Sequence, residues 1–240
     1  MIALTLHNVG KIYPLAAKQV MAVANISLAV AAGSFVTIVG RSGCGKTTLL
    51  RLIAGLEPAS CGTMLFNPPA AKIGLVFQEP RLMPWLTVEK NMAFALRQEP
   101  DHDRVEQTIA HYLKMLNLEN FRQAYPAQIS GGMAQRTSLG RTLCYNPDII
   151  LMDEPLGALD AFTRASLQQE LIHIFLLTGK TILFVTHDVD EAVLLGQQVL
   201  VMDSGRIREI VPIPLAYPRS PASAEFYALR TQVLQAIMTA

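Results

Sequence analysis

Gly40-Arg41-Ser42-Gly43-Cys44-Gly45-Lys46-Thr47 constrains this chain more than any other stretch. It spells G-x-x-x-x-G-K-[ST], a loop that holds phosphates between a strand and a helix. A triphosphate needs many donors close to its oxygens, and side chains on the loop would block that approach. Glycines at 40, 43 and 45 let the backbone curl with its N–H groups inward. The helix that follows adds the positive end of its dipole. Lys46 is a point charge for β- and γ-phosphates, and Thr47 offers a hydroxyl to Mg²⁺. Arg41, Ser42, Cys44 and Thr48 complete the candidate nucleotide-binding positions around the loop. The flanks agree. Phe35-Val36-Thr37-Ile38-Val39 reads as a buried parallel strand. Residues 47–54 carry leucine and isoleucine at helical spacing, with Gly55 placed as a helix-ending glycine.

A chain of 240 residues can bury one large core with a smaller subdomain beside it. Net charge is +1, so nothing suggests the strongly basic surface of a nucleic-acid binder. Cys44, Cys61 and Cys144 are odd in number and widely spaced, which signals neither a disulfide framework nor a zinc site. The reading is of a protein from a reducing cytosol, with no secretory signal at its start. Residues 19–40 carry no charge and would satisfy a hydropathy window for a membrane span. However, Ile26, Leu28 and Val30 alternate with small or polar residues, and Ala32-Gly33-Ser34 breaks the run. Two strands joined by a turn fit better.

Along the chain, residues 4–9 alternate and read as an edge strand, ended by Pro14. Tyr13 either stacks on a nucleotide base or packs at a sheet edge. Residues 72–77 form another strand, ending at Gln78. A loop with two prolines and the only tryptophan, Trp85, follows. Thr87 caps a helix reaching towards Arg97, with Lys90 and Asn91 on its polar side. Residues 99–103 make a polar break before a helix over 105–116. Ser130-Gly131-Gly132 precedes a helix over 133–144, either as an ordinary cap or as a second anion site. Gly140 inside that helix implies close packing against an unidentified partner.

Ile149-Ile150-Leu151-Met152 reads as a buried strand that delivers Asp153-Glu154-Pro155 at its C-terminal end, where open α/β sheets carry their ligands. Two adjacent carboxylates there need a partner. Mg²⁺ beside a triphosphate supplies one: Asp153 binds it directly or through water, and Glu154 polarises an attacking water. Residues 157–160 make a tight turn before a helix over 162–177. A strand over 181–186 then places His187 at the same sheet edge as Glu154, suited to sensing a phosphate. Residues 199–207 read as a hairpin turning at Ser204-Gly205. The segment 210–221, with four prolines, is expected to be extended, and a helix over 224–238 follows.

The order of these pieces resembles the ATP-binding subunits of ABC transporters, over essentially the whole chain. Beside the P-loop stand Gln78 (similar to the Q-loop), Ile129-Ser130-Gly131-Gly132-Met133 (the signature motif), 149–154 (Walker B), Ala158-Leu159-Asp160 (the D-loop) and His187 (the switch histidine). The signature usually reads Leu-Ser-Gly-Gly-Gln, so Ile129 and Met133 depart from it. The resemblance implies an α/β fold, a P-loop NTPase core with a mostly parallel sheet, an N-terminal antiparallel β part and a helical subdomain. The expected single domain, 1–240, divides into a nucleotide-binding core (1–85 and 147–211), a helical subdomain (86–146) and a C-terminal extension (212–240).

By the same resemblance Tyr13 stacks on the base, Gln78 joins Thr47 and Asp153 at the metal, and Glu154 and His187 are catalytic. Ser130, Gly131, Gly132 and Asp160 would meet ATP bound to a second copy in a head-to-tail homodimer. The loop 77–88 is similar to importer ATPases for nitrate, aliphatic sulfonates, taurine or bicarbonate. That implies a peripheral protein at the cytoplasmic face of the bacterial inner membrane. Permease subunits would dock near Trp85, and an external solute-binding protein would act indirectly. The alternative is a DNA- or ribosome-associated ATPase of the same superfamily, whose paired cassettes or basic extensions are not seen. A GTPase would need N-K-x-D for guanine, and a non-catalytic partner would not need Lys46, Asp153, Glu154 and His187 together. One further expectation concerns Cys44: the loop's N–H groups and Lys46 favour its thiolate, so it should be the most reactive of the three thiols.

Overall fold

A computed structural model describes residues 1–15 and 18–239. Two sheets sandwich the first helix. The smaller contains β1 (Ile2–Leu15), β2 (Lys18–Ala31) and β4 (Cys61–Phe66), all antiparallel in the order β2-β1-β4. The larger runs β5-β6-β7-β3-β8-β9, with β3 (Phe35–Gly40), β5 (Ile73–Val76), β6 (Ile149–Asp153), β7 (Thr181–Val185), β8 (Gln198–Asp203) and β9 (Arg206–Pro212). Its first five strands in that order are parallel, and β9 returns antiparallel on β8. Every residue of β3 and β7 is buried, as expected of strands covered on both faces.

Period-two alternation sorts β3 between two cores. Val36 and Ile38 face α1 (Lys46–Ile53), whose Leu49, Leu50, Leu52 and Ile53 pack in turn on Leu4, Leu6, Ile26 and Val30 of the small sheet. Phe35 and Val39 face the opposite core, with Phe175 and Phe184. That side is closed by α2 (Val88–Ala93), α3 (His102–Met115), α4 (Gly131–Cys144), α5 (Ala161–Thr178), α6 (Val189–Leu195) and α7 (Ala224–Met238).

Several expectations are corrected. β1 is the centre of its sheet, not an edge, because the unforeseen β4 pairs with it from Leu4 to Gly10. It also continues through Pro14, whose missing N–H is tolerated beyond the end of that pairing. The helix from 87 stops at Ala93 and tightens into a 3₁₀ turn over Phe94–Leu96. The polar break at 99–103 already contains the first turn of α3, capped by Asp101 through the N–H of Arg104. α6 was also unforeseen.

Gly140 has its packing partner: a Cβ there would lie 2.7 Å from Met92 Cε and 2.9 Å from Leu116 Cδ1, so it lets α2 and α4 approach. The β8–β9 hairpin turns at Ser204 and Gly205, both at positive φ, as a two-residue turn requires. Among the described residues, no helix is long and apolar enough to cross a membrane.

Candidate functional site: the P-loop and the adjoining sheet edge

The phosphate loop leaves β3 at Gly40 and enters α1 at Lys46. Its shape is fixed from beneath. Gly45 has φ +104°, and a Cβ there would stand 2.2 Å from the carbonyl oxygen of Ala22 on β2. Only glycine permits both that backbone and that approach. The N–H of Gly205 donates to the Cys44 carbonyl at 3.0 Å, and that of Ala24 to the Gly205 carbonyl at 2.7 Å. The β8–β9 turn therefore bridges the loop to the small sheet. The Lys46 ammonium folds back across the loop, donating to the carbonyls of Gly40 (2.8 Å) and Arg41 (3.1 Å).

Thr47 joins the loop to the end of β6: its hydroxyl donates to Asp153 Oδ1 at 3.0 Å. Burial pushes the Asp153 carboxyl up from its ordinary value; the Thr47 hydrogen bond opposes this, and the neighbouring Glu154 charge adds to it. Glu154 sits at φ +47°, its N–H donating to the Val185 carbonyl at 3.0 Å. A bulky residue in the left-handed region is strained, and such strain gathers where function fixes the geometry. Its Oε2 lies 2.9 Å from His187 Nδ1. β6 and β7 are neighbours in the sheet, so the two side chains meet although 33 residues separate them in sequence.

A cavity of about 190 Å³ lies between the loop and Glu154, lined by Ser42, Gly43, Lys46, Thr47 and Thr48 among others. A second, of about 330 Å³, is lined by Thr47, Arg51, Gln78 and Asp153. Thr47 belongs to both. A larger hollow of about 450 Å³ opens between α3 and the end of α4, beside Lys72 and Tyr145. None of the carboxylates at the end of β6 lines it, so chemistry places the site in the smaller pair. Gln78 rests against the turn after Glu154: a Cβ on Gly157 would be 3.3 Å from its Nε2. Tyr13 is half-buried; its hydroxyl bonds Glu57, and Lys11 Nζ stands 5.0 Å from its ring centroid.

The Ser130 cluster is not brought to the P-loop. Ser130 caps α4, its hydroxyl accepting from the N–H of Met133, and Gly131 faces open space. Asp160 caps α5 through the N–H groups of Phe162 and Thr163. The two caps are neighbours, since a Cβ on Gly132 would strike Thr163 Cγ2 at 2.3 Å. Ile129 and Met133 both pack partly buried on the core, so the departures from the usual signature are apolar contacts here. Trp85 is 73% exposed.

Two expectations fail. Cys44 is buried: its Sγ points into the core under the loop, where a Cβ on Gly40 would meet it at 2.7 Å, and the exposed thiol is Cys61. Asn91, assigned to a polar face, is completely buried. It accepts from the Met83 N–H (2.8 Å) and donates to the carbonyls of Met83, Leu86 and Thr87, so it organises the Trp85 loop from inside. Sequence reading also passed over Glu191, a buried carboxylate next to His187. The signal was present: Asp188 followed three residues later by Glu191 is a helix-start pattern.

The model of the family described as ABC transporter matches residues 23–157. An ABC transporter ATP-binding protein of Methanocaldococcus jannaschii, itself uncharacterised, is 47% identical over 242 residues, covering 97% of this chain and 90% of that one. The aliphatic sulfonates import ATP-binding protein SsuB of Bacillus subtilis is 43% identical, over 88% of this chain and 84% of its own. Among solved structures, a dimeric ATP-binding cassette in a post-hydrolysis state with ADP and Pi superposes with a TM-score of 0.79. It is 31% identical and covers 89% of this chain and 100% of its own. The loop, the paired carboxylates and these likenesses agree: the chain belongs to the ABC transporter family, as an ATP-binding subunit that hydrolyses ATP.

Proposed function

We propose that the chain powers uptake of a small anionic solute, an aliphatic sulfonate or a close chemical relative. The observation that carries the catalytic half is the meeting of Lys46, the Thr47–Asp153 pair and the Glu154–His187 pair around the two adjoining cavities. The naming of the Bacillus relatives supports the solute. The P-loop from Gly40 to Thr48 cradles the triphosphate, and Tyr13 lies beside the base. Glu154 takes the proton of the attacking water, and His187 holds that carboxylate in place.

The residues present suit Mg²⁺. One half-buried carboxylate, Asp153, and one hydroxyl, Thr47, are hard oxygen donors, with Gln78 lining the same cavity. Mg²⁺ needs few protein ligands when phosphates and water complete its shell. Bound there, it would neutralise charge developing on the phosphates.

Ser130, Gly131 and Asp160 lie exposed, with the buried Gly132 beside them, away from the chain's own P-loop. They complete the site of a second copy, in keeping with the dimeric form of the cassette neighbours. The exposed Trp85 loop docks on permease subunits, which receive solute from an external binding protein. The chain is thereby peripheral, at the cytoplasmic face of the bacterial inner membrane.

Glu154→Gln tests the reading. Turnover should fall by about 10²–10⁴-fold, the worth of a general base, which is roughly 2.7–5.5 kcal/mol of barrier. ATP binding should persist, and an ATP-held dimer should accumulate on a sizing column. Unchanged turnover removes Glu154 from the chemistry.

A further inference from the structure

We propose that Glu191 and Arg164 are positioning residues for His187, and that they couple the turn at 157–160 to it. The inference rests on the reading of Glu154 and His187 just given. His187 is well exposed, and among the described residues Glu154 is the only hydrogen-bond partner of its side chain. What aims its ring is therefore the backbone on either side.

That backbone is held by one hydroxyl. Thr186 Oγ1 accepts from the N–H of Asp188 at 3.0 Å and donates to Glu191 Oε2 at 2.7 Å. Residues 186 and 188 are thus tied together around His187, and the tie is anchored on Glu191. The Asp188 carboxylate adds a second bracket, accepting from the N–H groups of Asp190 and Glu191.

Glu191 is only 5% exposed, on a helix whose Val189, Ala192, Val193, Leu194 and Leu195 are also buried. A carboxylate on such a face costs stability unless it is partnered, and an apolar residue would pack there at less cost. Its partners other than Thr186 lie on the first half of α5. Oε1 is 3.3 Å from Gln168 Nε2 and 3.8 Å from Arg164 Nε. Arg164 in turn donates through Nη2 to the Leu159 carbonyl at 3.0 Å, and its Nη1 lies 4.0 Å from Asp188 Oδ2. A polar path with one gap, between Arg164 and Glu191, therefore runs from Leu159, beside Asp160, through Arg164, Glu191 and Thr186 to the backbone around His187.

One link is open. Arg164 Nε is buried without a hydrogen-bond partner, and 3.8 Å to Glu191 is too long for one. A buried donor in that condition is costly. A small shift of the 157–160 turn that drew Arg164 onto Glu191 would satisfy it and carry the shift to the His187 backbone. In the proposed dimer that turn faces the second copy, so closure of the dimer would set the histidine.

The test labels the full chain with ¹³C-histidine and assigns the His187 signal by its loss in His187→Ala. Glu191→Gln keeps the size of the side chain and removes its charge. The His187 signal should move while those of His7, His102, His111 and His173 stay. Turnover should drop about tenfold with the KM for ATP within about twofold, and Glu191→Gln should cause no further loss when added to His187→Ala. Arg164→Met should displace the same signal, and it decides the matter should Glu191→Gln fail to fold. An unmoved His187 signal, or an equal loss of turnover with and without His187, would show a purely structural network and overturn the proposal. Full turnover in His187→Ala would instead overturn the catalytic reading of His187, with the spectra still deciding whether Glu191 positions it.

Discussion

Asn91→Ala should loosen the Trp85 loop without touching the nucleotide site. The buried amide makes four hydrogen bonds to backbone between Met83 and Thr87. Two of the groups it serves keep other partners: the Met83 carbonyl also accepts from the Leu86 N–H, and the Thr87 carbonyl from the Asn91 N–H. The Met83 N–H and the Leu86 carbonyl have no other partner among the described residues. An orphaned buried group costs about 1–3 kcal/mol. Both residues are half-buried, so water can reach part of the gap, and the expected loss is about 2–4 kcal/mol. Urea unfolding followed by far-UV circular dichroism measures it as a lowered midpoint at constant slope. Trp85 is the sole tryptophan, so its fluorescence anisotropy reports the loop directly and should fall in the folded variant. ATP affinity should hold, because none of those bonds reaches the P-loop. A loss below about 0.5 kcal/mol, the range of an ordinary surface change, would refute the role given to Asn91.

Gly45→Ala should cost at least about tenfold in ATP affinity, or about 1.4 kcal/mol, because the new Cβ meets the Ala22 carbonyl oxygen; titration calorimetry checks it. A small maleimide should label Cys61 first and leave Cys44 and Cys144 largely unmodified in the native protein, as peptide mass spectrometry would show. Cys144 is further protected because burial pushes its thiol up to about 12. The Arg122 hydrogen bond holds the Glu89 carboxyl below its ordinary value, so this pair contributes stability above that value and loses it as pH falls through the depressed one. Arg122→Gln should therefore lower the urea midpoint near neutral pH and converge with the parent chain in acid.

The nucleotide half of the site was legible because its chemistry is local. The spacing of glycines, Lys46 and Thr47 is set by one loop, and Asp153 and Glu154 follow an unbroken apolar strand. Elements whose signal is shared with a neighbour were not legible. β4 is mostly exposed and carries Gly62 and Thr63 between Cys61 and Met64, so it shows no clear apolar period. α6 is only seven residues and buried almost all round, so it lacks an amphipathic stripe. Asn91 misled for a different reason. An amide is read as a solvent-facing group until the loop that consumes its hydrogen bonds is in place, and that loop precedes it by only a few residues. Cys44 misled because the motif fixes where its N–H lies and says nothing of its side chain, which the curl of the loop turns inward.

Three of the costs in this structure lie close together. Glu154 holds a left-handed backbone, Asp153 carries a carboxyl raised by burial, and Arg164 keeps a buried donor unpaired. Each belongs to an element that ends at the same edge of the large sheet or to the turn beside it. The strands behind these residues, β3, β6 and β7, are among the most completely buried in the molecule. A rigid sheet can hold strained and desolvated groups at its rim because relaxing them would require disturbing that core. Ligands that supply positive charge to Asp153, or movements that close the Arg164–Glu191 gap, would relieve these costs. Binding and closure are then favoured by the strain and desolvation they relieve, as well as by the contacts they add.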